Sequence, residues 1–107
     1  MSLKPDLNAL ESRADEVAGL LKVLSHRNRL LVACELIDGE KSVSALEAAT
    51  GAPQPHLSRD LARLKREGLV TARKASTSVY YSLADERLSR VINALCDSYG
   101  APKRRKK

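Results

Sequence analysis

The sequence predicts a mainly α-helical domain carrying one small β-hairpin. Two observations predict it. Apolar residues recur at three- and four-residue spacing in five separate stretches of the 107-residue chain, the period of helices with one buried stripe. Across residues 69–83 the period switches once to alternation, that of a strand pair. Length sets the scale: 107 residues make one domain and leave no room for a second core.

The first helix is written by Leu7, Leu10, Ala14, Val17, Leu21 and Leu24, with Gly19 as its weak spot. Ser25 is a good N-cap for a second helix, Arg27 to about Asp38. Leu30, Leu31, Val32, Ala33, Cys34, Leu36 and Ile37 make that helix apolar on most sides, and Gly39 stops it. Ser42 or Ser44 caps a third helix that runs through Thr50, with Val43, Leu46 and Ala49 facing in and Gly51 ending it. Pro55 suits the first turn of a fourth helix, whose inner face is Leu57, Leu61 and Leu64 and whose stop is Gly68. Leu69 to Ala72 and Val79 to Leu83 read as the two strands, joined by the basic stretch from Arg73 to Ser78. Asp85 caps the last helix, with a stripe of Leu88, Val91, Ile92, Leu95 and Tyr99, and Gly100, Ala101 and Pro102 stop it. Residues 1–100 form the domain, and 101–107 are expected to be a disordered basic tail.

Composition narrows the function classes. There is no Trp and no Phe and only three Tyr, so base stacking on aromatic platforms, the device of single-strand binders, is disfavoured. No apolar run approaches the ~20 residues of a membrane span, and the N-terminus has no secretory pattern, so no membrane partner and a cytoplasmic location are expected. Two cysteines are too few for a secreted disulfide framework, and a reducing compartment argues against a permanent bridge. The net charge of +6 is mostly the tail, because the last five residues carry +5. A local excess remains at Arg59, Arg63, Lys65, Arg66, Arg73 and Lys74.

The order helix, helix, helix, helix, hairpin, helix places a short glycine turn between the third and fourth helices and a basic hairpin directly afterwards. That is a winged helix-turn-helix. The fourth helix would present its N-terminal end to the major groove of double-stranded DNA, where free amides and the helix dipole favour phosphate. Gln54, His56, Ser58 and Arg59 lie there, away from Leu57 and Leu61. Gln pairs bidentately with adenine and Arg with guanine. Arg63 follows on the same helix, and Arg73, Lys74, Ser76 and Thr77 on the hairpin reach towards flanking phosphate or the minor groove. The plainer alternative makes all of these solvated polar residues on an ordinary small helical domain.

From Leu21 to Leu83 the chain resembles the ArsR/SmtB family of winged-helix repressors, and within it the subgroup of NolR, HlyU and BigR. The matching pieces are Leu24-Ser25-His26-Arg27-Asn28-Arg29-Leu30, Gln54-Pro55-His56-Leu57-Ser58-Arg59-Asp60-Leu61, Arg66-Glu67-Gly68-Leu69-Val70 and Val79-Tyr80-Tyr81-Ser82-Leu83. The resemblance implies a homodimer pairing through its first and last helices and reading an imperfect palindrome. Their apolar stripes agree, being more than so small a chain buries alone. Asp60 departs from the family, which has His or Gln there. As a carboxylate near phosphate it would pair with Arg63 or accept from cytosine.

The family's metal sites have no counterpart. Ser42-Val43-Ser44 stands where the paired cysteines belong, and the last helix has no His; no metal and no cofactor are expected. The subgroup's thiol switch uses a cysteine in the second helix and one near the end of the last. Cys34 falls at the first place. Gly100 occupies the second, with Cys96 one turn earlier on a similar face. A Cys34–Cys96 pair requires the last helix to pack on the second. Equally, both cysteines serve as small buried hydrophobes in a ligand-free repressor, and Asp97 beside Cys96 disfavours a thiolate. Two other classes stay open: a charge-driven architectural DNA-binding protein, and a protein-interaction module on the same fold. No catalytic constellation or phosphate loop argues for an enzyme.

Overall fold

The computed structural model describes residues 7–100; the expected tail at 101–107 lies outside them. The elements run α1 Leu7–Ser12, α2 Ala14–Leu24, α3 Arg27–Glu35, β1 Lys41–Ser42, α4 Val43–Thr50, α5 Gln54–Arg66, β2 Val70–Ala75, β3 Ser78–Leu83 and α6 Glu86–Tyr99. The winged helix-turn-helix is the observed architecture, with α4 and α5 as its two helices and β2–β3 as the wing.

The core is aliphatic. Val32, Leu46, Leu57, Leu61, Leu64 and Ile92 are fully buried, drawn from α3, α4, α5 and α6. Burying such a side chain is worth about 1.5–3 kcal/mol, so these interlocked side chains hold α5 against α3 and α4.

Local chemistry sets most boundaries as expected. Ser42 caps α4 by accepting the Ala45 N–H at 3.1 Å. Gly51 ends that helix at φ +74°, where a side chain would be strained. Thr50 then braces the turn: its hydroxyl donates to the Leu46 carbonyl and accepts from the Ala52 N–H. After α5 the chain makes a Schellman closure, with Leu69 N–H donating to the Leu64 carbonyl and Gly68 N–H to that of Lys65. Asp85 caps α6 through the Leu88 N–H at 2.9 Å. That bond holds the Asp85 carboxyl below the usual carboxylate range.

Several expectations are corrected. The first helix is two helices, broken at Arg13 rather than weakened at Gly19; Arg13 folds its guanidinium onto Glu16 with two bonds of 3.0 Å. Ser25 does not cap α3. Its hydroxyl donates to the Lys22 carbonyl and closes α2 instead, and His26 takes the cap position without a side-chain bond. The second helix narrows to a 3-10 turn over Leu36–Asp38 before Gly39. Ala49 is exposed. The wing strands extend to Ala75 and begin again at Ser78, so Arg73 and Lys74 sit in a strand and the tip is only Ser76-Thr77. Ser76 makes the turn at φ +58°. A third strand, β1, pairs with β3 through Lys41–Tyr81 and Ser42–Tyr80, giving the antiparallel order β1-β3-β2.

The apolar stripes of α1, α2 and α6 are only partly covered. Leu7, Leu10, Leu21, Val91, Leu95 and Tyr99 are exposed, Tyr99 at 88%. An open groove of about 730 Å³ runs between these helices, with Leu10, Val17, Leu20, Leu21, Leu88 and Val91 in its walls.

Candidate nucleic-acid interface

Helix α5 has two faces with opposite chemistry. Leu57, Asp60, Leu61 and Leu64, at helical spacing, are buried. Gln54, His56, Ser58 and Arg59 are exposed together on the other side. Pro53 sits at the cap position in extended backbone, and Pro55 falls in the first turn, where a helix has no use for its missing N–H. The first intrahelical bond runs from the Leu57 N–H to the Pro53 carbonyl, so the amides of the first turn stay unpaired within the helix. The Gln54 side-chain amide donates to the Ser58 hydroxyl at 2.9 Å, one turn on.

The remaining expected site residues divide. Arg63 is half-buried and its Nε lies 3.3 Å from the Glu67 carboxylate, so its ionic partner is Glu67 and not Asp60. Asp60 is only 4% exposed and belongs to the buried stripe, not to the exposed face of α5. It meets Arg29 of α3, whose guanidinium donates to Oδ1 at 3.4 Å. The same guanidinium donates through Nε to the Val23 carbonyl at 2.8 Å. The expected pairing of Asp60 with Arg63, or with a cytosine, is therefore replaced by an internal ion pair. Arg29 is the residue that sequence reasoning missed. The available signal was a charge set directly before the apolar run Leu30-Leu31-Val32-Ala33 in α3, because a charge covered by such a run needs a partner.

On the wing, Lys74, Ser76 and Thr77 are exposed. Arg73 is exposed too, but engaged. Its Nε and Nη2 each donate to the Glu40 carboxylate at 2.8 Å, and its guanidinium lies 5.1 Å from the centre of the Tyr80 ring. The two hydrogen bonds hold the Glu40 carboxyl below its usual range and raise the Arg73 pKa. The hairpin residue best matched to a phosphate is consequently Lys74.

Cys34 of α3 and Cys96 of α6 are joined in a disulfide, with Cα atoms 6.5 Å apart. The packing of α6 on α3 that such a pair requires is present, and both residues sit at the edge of the core. Among the described residues no group of three or more His, Cys, Asp or Glu side chains is placed to hold a metal ion.

Comparison with known proteins gives this geometry its context. Residues 26–72, from the start of α3 into β2, match the family described as bacterial regulatory protein, arsR family. The chain is 45% identical to the biofilm growth-associated repressor of Agrobacterium fabrum over 96 residues, covering 90% of this chain and 82% of that one. The crystal structure of the transcriptional repressor BigR from Xylella fastidiosa superposes with a TM-score of 0.82 at 39% identity, covering 91% of this chain and 99% of that one. A homodimeric winged helix-turn-helix DNA-binding domain from Mycobacterium bovis superposes with a TM-score of 0.70 at 35% identity, covering 89% and 86% of the two chains. With matches of this extent to regulators, and a helix-turn-helix and wing in one domain, the chain belongs to the arsR family of bacterial regulatory proteins.

Proposed function

We propose that this protein is a homodimeric, sequence-specific repressor of transcription that binds double-stranded DNA and is switched by the Cys34–Cys96 bridge. The observation that carries the reading is the exposed polar face of α5, which offers Gln54, His56, Ser58 and Arg59 on a helix whose other face is locked into the core. In this reading Arg59 contacts guanine and Gln54 adenine, releasing Ser58 as it does so. His56 and Ser58 meet base edges or phosphate beside them, Arg63 contacts the backbone, and Lys74, Ser76 and Thr77 hold flanking phosphate. Arg73 contributes less than its charge suggests, because Glu40 already occupies it.

The uncovered stripes of α1, α2 and α6 support the dimer. Two copies would place two reading helices in successive major grooves, on half-sites of an imperfect palindrome about 34–36 Å apart. Residues 1–100 form the working domain, and the tail at 101–107 adds sequence-independent attraction to phosphate. We place the protein in the cytoplasm. No helix among the described residues is long and apolar enough to cross a membrane. In a reducing compartment the bridge forms only when an oxidant arrives. The two thiols then lose two protons and two electrons to a peroxide or a small disulfide, and α6 is tied to α3.

Fluorescence anisotropy on DNA from the protein's own promoter region tests this, with the protein reduced, then oxidised, alongside Cys34→Ser. The expected result is tight binding when reduced, weak binding when oxidised, and no effect of oxidant on Cys34→Ser. Binding indifferent to oxidant would make the cysteines core packing. Absence of preferred DNA in either state would overturn the reading in favour of an interaction module.

A further inference from the structure

Asp60 is the one charged side chain in the buried set of the described residues, and it lies on the reading helix. A carboxylate there is costly unless it is paired. Its partner is 31 positions away in sequence, Arg29 of α3. Arg29 is itself mostly covered, with 15% of its side chain exposed. The guanidinium does not serve Asp60 alone. Its Nε holds the Val23 carbonyl in the last turn of α2. One planar group therefore ties three elements together: the end of α2, the start of α3 and the middle of α5.

The position of Asp60 on its helix gives this tie a consequence. Along α5 the buried stripe is Leu57, Asp60, Leu61 and Leu64. Successive residues turn by about 100°, which puts Asp60 at one edge of that stripe and Leu61 at the other. Round the helix from Asp60 towards the exposed side come His56 at about 40°, Arg63 at about 60° and Arg59 at about 100°. The three leucines bury α5 but grip it without direction, since apolar contact is non-directional. A hydrogen-bonded ion pair at the stripe's edge has direction. It fixes the rotation of α5 about its own axis, and with it the angle at which Gln54, Ser58 and Arg59 leave the surface.

We propose that Asp60 and Arg29 are a positioning pair that sets the rotation of the reading helix, so that base discrimination depends on a contact that never touches DNA. Stability and discrimination are then separable properties. A buried ion pair is replaced by apolar side chains of similar size at little cost in stability, but the replacement loses its directional hold.

The test rests on the DNA-binding reading above and includes a measurement independent of it. A site selected from random duplexes by the wild-type protein serves as specific DNA, and a scrambled duplex as non-specific DNA. Three variants are compared under conditions where circular dichroism shows each to be folded: Asp60→Asn, Arg29→Lys, and the double variant Arg29→Met with Asp60→Leu. The double variant is expected to melt close to the wild type, yet to bind the selected site about tenfold more weakly, the size of one lost base-pair readout. Its affinity for the scrambled duplex stays near the wild-type value. Arg29→Lys keeps the charge but not the planar two-way fork, and is expected to fall between. A folded double variant with wild-type preference for the selected site would overturn the proposal, as would a loss that affects both duplexes equally. Should the wild type select no DNA, the DNA-binding reading fails separately. The pair is then judged by hydrogen exchange: the double variant is expected to speed amide exchange in α5 relative to α6, and unchanged exchange in α5 would overturn it.

Discussion

Helices α5 and α6 look alike in sequence and are used in opposite ways. Both are amphipathic and both carry a leucine-rich stripe at helical spacing. In α5 the whole stripe is satisfied within the chain: Leu57, Leu61 and Leu64 are fully buried, and Asp60 at its edge has Arg29. In α6 the stripe divides. Leu88 and Ile92 go into the core, while Val91, Leu95 and Tyr99 are exposed, Val91 in the groove it shares with Leu10 and Leu21. The free face of α5 is polar, whereas α6 leaves three large apolar side chains, Val91, Leu95 and Tyr99, uncovered among its polar ones. The first suits a hydrogen-bonding, anionic partner and the second another apolar surface. Periodicity thus tells which side of a helix seeks cover, but not whether its own chain supplies the cover.

The sharpest way to break this comparison is to replace one leucine on each helix. Leu61→Ala opens a cavity in a closed core and is expected to cost about 2–5 kcal/mol, read from urea unfolding at fixed protein concentration. Leu95 lies on the uncovered side. Leu95→Glu is expected to leave each protomer folded but to weaken the dimer by about 2–4 kcal/mol, as loss of an interface anchor does. Sedimentation equilibrium measures it directly. A Leu95→Glu protein that stays fully dimeric would show that the stripe of α6 is not where two copies meet.

The same contrast explains what the sequence could and could not say. The limits of α4 and α5 were legible because Ser42, Gly51, Pro55 and Gly68 act on residues within one turn of themselves. The strand β1 was not, because two residues become a strand only through Tyr80 and Tyr81, some forty positions on. Ser25 misled for a subtler reason: a serine at a helix boundary serves either neighbour, and this one closes the helix behind it. That Gln54, His56, Ser58 and Arg59 lie outside the buried stripe follows from the spacing of the leucines alone. The roles of Asp60 and Arg73 do not, since their partners Arg29 and Glu40 are 31 and 33 positions distant. A charge near a presumed anion site is ambiguous until its internal partners are known.

Among the exposed residues of α5, Arg59 has no carboxylate partner in the described structure and faces away from the core. Arg59→Ala is expected to lower affinity for a selected site by about 1–3 kcal/mol and to relax preference at one base pair. Anisotropy titrations against single-base variants of the site would register both. A loss shared by all sequences would reassign Arg59 from base to phosphate.

The smallest effect separates two neighbours on the wing. Arg73 and Lys74 are adjacent on β2, so their side chains leave opposite faces of the strand. Lys74 carries its charge to solvent, whereas Arg73 spends two hydrogen bonds on Glu40. Lys74→Ala should weaken binding to every DNA alike and reduce the slope of log affinity against log salt by about one per protomer, one phosphate contact each. Arg73→Ala should change that slope less and show itself in acid instead. The Glu40 carboxyl is held below its ordinary value by Arg73, so the pair stabilises the wing above the ordinary carboxylate range. That contribution is lost as pH falls through the lowered value of Glu40. Arg73→Ala should remove this part of the pH dependence of unfolding, and the effect is small because the pair is exposed. Equal losses of salt slope in the two variants would mean that Arg73 lets go of Glu40 when DNA arrives, and that the carboxylate competes with phosphate for the same guanidinium.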